Sequence, residues 1–98
     1  MKGTPKFFEQ FGKLKSEIED ESERQSFELQ ARICFRLTEE KIHRWPWFDK
    51  RDGIATFSAV FGPLNLSGVY FRYFMVFEKR SMEGQLEPFW LWIWKEKL

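Results

Sequence analysis

The chain has 98 residues, 43% hydrophobic and 32% charged, a balance that suits one folded domain over 1–98, is too short for two and argues against disorder. Its net charge of +1 supplies no global field for nucleic acid or an anionic membrane surface. A single cysteine, Cys34, excludes an internal disulfide framework, and Met1 to Gln10 lack the apolar run of a signal peptide, so the expected location is the cytoplasm.

Residues 4–19 are expected to form a helix. Thr4 can accept from the free N–H groups of the first turn, and Pro5 sits where a missing donor is harmless. Phe7, Phe11, Leu14 and Ile18 then recur at three- and four-residue steps, with Phe8 widening the stripe. From Glu17 to Glu23 five of seven residues are acidic, which reads as a solvated linker over 20–26.

Residues 27–38 set period against propensity. Glu, Leu, Gln, Ala and Arg favour helix. Yet Phe27, Leu29, Ala31, Ile33, Phe35 and Leu37 alternate strictly with polar neighbours and Cys34. Wound as a helix, these six would form two clusters on opposite sides, one of them exposed; as a strand they all point one way. The expectation is a strand.

Lys41 to Phe48 reads as an edge strand or extended loop, because Pro46 cannot donate to a central ladder. Asp49 to Gly53 is a turn, and 54–61 a strand ended by Gly62-Pro63. A strand over 69–78 follows Gly68, then a charged turn from Lys79 to Glu87, then a last strand over 89–95. Connections this short imply antiparallel pairing. The expected class is α+β, an N-terminal helix packed on a coiled antiparallel sheet of four to five strands in α-β-β-β-β order, with the sheet spanning 27–95.

The usual equipment for catalysis is missing from this pattern. One His and one Cys cannot assemble an ordinary zinc site, and the glycines are scattered as turn punctuation, so no metal and no cofactor is expected. A Cys34–His43 nucleophile pair lacks any marked orienting group. The apolar run from Phe89 to Trp94 is far short of the ~20 residues a spanning helix needs.

The aromatic residues carry the functional signal. Fourteen of nineteen, including all five tryptophans, follow Arg44. Simple alternation puts Trp90, Trp92 and Trp94 on one face of the last strand. In 69–78 it puts Tyr70, Phe74 and Val76, with Arg72 and Glu78, opposite a second apolar face. Three bare tryptophans would expose roughly 450–750 Å², at or beyond the largest apolar patch of most soluble monomers. A curled sheet, a second copy or another partner must cover them.

Arg44, Trp45, Trp47 and Phe48 join Trp and Arg, common at binding hot spots, to a stiffening proline. The sequence therefore points to a non-catalytic protein-binding module, an inhibitor or adaptor, expected as a homodimer. The binding residues would be Arg44, Trp45, Trp47, Phe48, Trp90, Trp92 and Trp94. The alternative is single-stranded nucleic-acid binding by aromatic stacking, with Arg32, Arg36 and Arg72 on phosphates.

Overall fold

In a computed structural model, which describes residues 1–44, 53–82 and 85–98, the chain forms β1 (Lys2–Gly3), α1 (Pro5–Ser16), α2 (Glu21–His43), β2 (Gly53–Leu66), β3 (Val69–Met82) and β4 (Gln85–Lys97). The strands make one open sheet in the order β1-β4-β3-β2. The three long strands pair antiparallel, and β1 lies parallel to β4. The α+β class agrees with the sequence, whereas the sheet reaches four strands only because β1 at Lys2–Gly3, where no strand was expected, joins the three long ones. The element order differs, because a second helix stands where a strand was expected.

Helix α1 starts as its sequence dictates. The Thr4 hydroxyl accepts from the Phe7 amide at 3.0 Å, satisfying one of the first-turn donors. The same hydroxyl donates to the Leu91 carbonyl at 3.0 Å, while the Thr4 amide donates to the Trp90 carbonyl at 2.9 Å. One residue thus caps α1 and fixes it to β4. The helix ends at Ser16, short of residue 19, and Ile18 continues its buried stripe from the connection.

Residues 27–38 are helical, contrary to the alternation. So are most of 20–26, contrary to the linker reading. Asp20 caps α2 by accepting from the Glu23 amide at 3.0 Å, and Glu21 and Glu23 lie in the first turn, where negative charge complements the helix dipole. The acidic run is a helix start. Phe27, Ala31, Phe35 and Ile42 then supply a buried stripe, and high helix propensity fills the intervening positions. The second cluster remains outside: Leu29, Ile33 and Leu37 are 60%, 50% and 60% exposed.

Residues Lys41 to His43 close α2 instead of opening a strand, and Arg44 is its C-cap. The hairpin joining β2 to β3 turns on Ser67 and Gly68, both at positive φ, as a tight two-residue connection requires. The Glu23 carboxylate accepts from the Ser67 amide at 2.8 Å, tying α2 to that turn. Strand β2 does not stop at Gly62-Pro63; it continues through a register shift to Leu66. Strands β3 and β4 run on through Met82 and from Gln85, into what reads in sequence as a charged turn, because ladder hydrogen bonds come from the backbone whatever the side chains.

Both helices cover the same side of the sheet. Phe7 of α1 lies 5.9 Å, centroid to centroid, from Trp90, and Phe27 of α2 lies 4.8 Å from Tyr73. Between the layers sit Phe61, Leu64, Met75, Phe77 and Ile93, all buried.

Burial, and secondarily the negative charge of Glu17, pushes the Tyr73 phenol from 10.0 up to about 12. Its folded value lies above its unfolded value, so its contribution to stability is complete below about pH 10 and is lost as pH rises through about 12. In a Tyr70→Phe background, phenolate absorbance should appear only near pH 12, with unfolding. Ionisation of Tyr73 near pH 10 in a chain that is still folded would contradict this burial.

Candidate interaction surface

Strand pairing decides which side chains share the helix-free face. Tyr73, Met75 and Phe77 of β3 point into the core, so Tyr70, Arg72, Phe74, Val76 and Glu78 point away from the helices. Val60 of β2 and Trp94 of β4 stand level with Phe74, while Ser58 and Trp92 stand level with Val76. The Phe74 and Trp94 rings stack at 5.6 Å with 16° between planes. Val60 and Tyr70 are each 51% exposed and Trp94 is 37% exposed. Among the described residues no helix or strand lies over this face.

The three tryptophans of β4 do not share a side. A bulge between Val76 and Phe77 leaves Leu91 as the extra residue, so Phe77 pairs with Trp90 while Val76 pairs with Trp92. Trp90 therefore turns inward with Ile93, and both are fully buried. The Trp90 indole N–H donates to the Glu39 carboxylate at 2.8 Å, giving its polar edge a partner. Trp90 is a core residue, not part of an exposed binding face. Trp92, on the bare face and half-buried, has the Lys6 ammonium 4.7 Å from its ring centroid.

The other candidates separate. Arg44 is exposed at the end of α2, and Trp45, Trp47 and Phe48 lie outside the described residues. Arg32 and Arg36 project from the solvent side of α2, each paired four residues along the helix, with Glu28 at 2.7 Å and Glu40 at 3.3 Å. Arg72 lies across the sheet from them. The three arginines named for phosphate contact are not gathered on one surface.

A concavity of about 530 Å³ opens between the start of α1 and α2, floored by Phe8, Phe11 and Phe35 and rimmed by Glu28, Arg32, Arg36, Glu39 and Glu40. The Glu28 carboxyl is held below its usual range, chiefly by a hydrogen bond from Lys15 at 2.8 Å. Cys34 sits on α2 and not on a strand. Its sulfur is 3.7 Å from the Val60 carbonyl and 3.9 Å from the Thr38 hydroxyl, and burial pushes its thiol up, away from the reactive thiolate. The side chain of His43 is outside the described part. Among the described residues no helix is long and apolar enough to cross a membrane, and no three His, Cys, Asp or Glu side chains gather as metal ligands.

Set against known proteins, the chain matches no family model, no curated protein and no solved structure.

Proposed function

We propose that this chain is a non-catalytic protein-binding module, an inhibitor or adaptor, that docks its partner on the helix-free face of the sheet. The observation that carries this reading is the one-sided layering. Both helices pack on the side of Tyr73, Met75 and Trp90, and among the described residues no other element covers Val60, Tyr70, Phe74, Val76 and Trp94. A β-face this rich in large apolar groups, with few charges at its centre, has the composition of an interface core.

Val60 and Trp94 are exposed enough to change without opening the core. Val60→Lys and Trp94→Lys should each move the thermal midpoint by only a few degrees while abolishing partner capture. Capture that survives both changes places the site elsewhere. A steeply salt-dependent affinity for single-stranded oligonucleotides, lost in the same variants, would replace the protein partner with a nucleic-acid strand.

A further inference from the structure

We infer that the outer edge of β2 accepts an extended peptide segment of another protein as an added antiparallel strand, seated beside α2. This site is separate from the bare face, and neither depends on the other.

The ladder fixes which backbone groups are spare. The Leu98 amide donates to the Tyr70 carbonyl at 2.9 Å, so Tyr70 turns its backbone polar groups toward β4. In an antiparallel strand the N–H and C=O of one residue point the same way, and successive residues alternate. Tyr73, Met75 and Phe77 therefore turn theirs toward β2, where they meet Phe61, Ala59 and Phe57. Thr56, Ser58 and Val60 are left directing their N–H and C=O groups outward, away from β3. The Cys34 thiol, 3.7 Å from the Val60 carbonyl oxygen, reaches that group from α2. Among the described residues no strand pairs with this edge.

The two edges of the sheet are built differently. Along β4 the chain lays β1 against Phe89 and Trp90, and Thr4 holds the Trp90 and Leu91 carbonyls. Beyond them β4 carries Lys95, Glu96 and Lys97. Short cover strands and charges are devices that stop stray pairing. Strand β2 has no charged residue among its 14, and Pro63 enters only at the register shift after Phe61. The stretch 56–60 is regular and uncharged.

A groove of about 250 Å³ lies between this stretch and α2, lined by Cys34, Thr38, Lys41 and Ile42 on the helix and by 57–60 on the strand. An added strand sends every second side chain to the helix side, so one apolar side chain of the partner enters the groove. Helix α2 runs opposite to β2, with Glu23 at Ser67 and Cys34 at Val60, which places Lys41 toward the Thr56 end. The C-terminal end of an antiparallel partner therefore comes beside Lys41. Lys41 is exposed and has no acidic partner among the described residues. A carboxylate there completes the match: main-chain hydrogen bonds give affinity, and the groove and Lys41 give choice.

Amide hydrogen exchange of the full chain reads each position. In the dilute free chain the Thr56, Ser58 and Val60 amides should exchange fast, while those of Phe57, Ala59 and Phe61 are protected. An end-blocked valine–threonine heptapeptide finishing in aspartate should slow the three open amides at least about tenfold, and its lysine-ended counterpart should bind at least about fivefold more weakly. Lys41→Glu should reverse that preference. Ser58→Pro should abolish the slowing in a chain that stays folded, because the lost N–H lies outside the ladder. Trp94→Lys should leave it intact while abolishing capture on the bare face, so the two sites fail separately. Protection of the three amides in the dilute free chain overturns the proposal, since the chain's own residues then cover the edge. Protection that grows with protein concentration alone overturns it in favour of a second copy. No slowing at millimolar peptide, or slowing indifferent to Lys41 and Ser58, overturns it as well.

Discussion

Trp90→Ala should destabilise the protein by about 3–5 kcal/mol and lower its melting temperature by at least about 12 °C. The indole is fully buried and lies 5.0–5.9 Å from the rings of Phe7, Phe35 and Phe77, so truncation opens a cavity where both helices meet the sheet. It also leaves Glu39 without the indole donor it accepts from at 2.8 Å. Trp90→Phe should fall between, restoring much of the volume but not the donor. Thermal and denaturant unfolding read the difference directly. A shift no larger than that of Trp94→Ala would mean that Trp90 is not the central packing residue.

That contrast between two tryptophans of one strand shows where sequence reading ends. Alternation in 69–78 correctly separates Tyr73, Met75 and Phe77 from Tyr70, Phe74 and Val76, because β3 is regular on the residues that pair with both neighbours. In β4 the same rule assigns Trp90 to the wrong side. The bulge at Leu91 has no local glycine or proline to announce it. Its carbonyl accepts from the Thr4 hydroxyl, 87 positions away in sequence, and such a tertiary contact leaves no mark in the spacing of β4.

Helix α2 escapes the alternation rule for the opposite reason, since its signals are present in the sequence. Asp20 followed three residues later by Glu23 is a recognisable helix start, and the residues behind it are strong helix formers. A strict period of two outweighed them. Read at four-residue steps, the same letters give Phe27, Ala31 and Phe35 inside and Leu29, Ile33 and Leu37 outside. The price of helix here is an exposed apolar stripe. The candidate site was thus legible in part: Trp92, Trp94 and the outer β3 residues follow from alternation, whereas exposed Val60 and buried Trp90 require the sheet registers.

Gly62→Ala should cost about 2–3 kcal/mol, clearly more than Gly68→Ala at about 1 kcal/mol. Both glycines hold positive φ, +111° and +87°, which an L side chain adopts only with strain. They differ in what a methyl group would meet. At Gly68 nothing lies within 4 Å, so the conformational penalty stands alone. At Gly62 the new carbon would sit 3.0 Å from the Phe71 carbonyl oxygen and 3.3 Å from the Arg72 Cα, and backbone cannot swing aside as a flexible side chain can. Gly62 also lies within the register shift that lets Phe61 and Leu64, three residues apart, both face the helices. Relieving the clash by regularising the strand would turn Leu64 out of the core, so strain and packing resist the substitution together. Chemical denaturation of the two variants, compared at equal m-value, measures the gap. Equal midpoints would show that β2 can open at Gly62 without loss, and that the shift is not what seats Leu64.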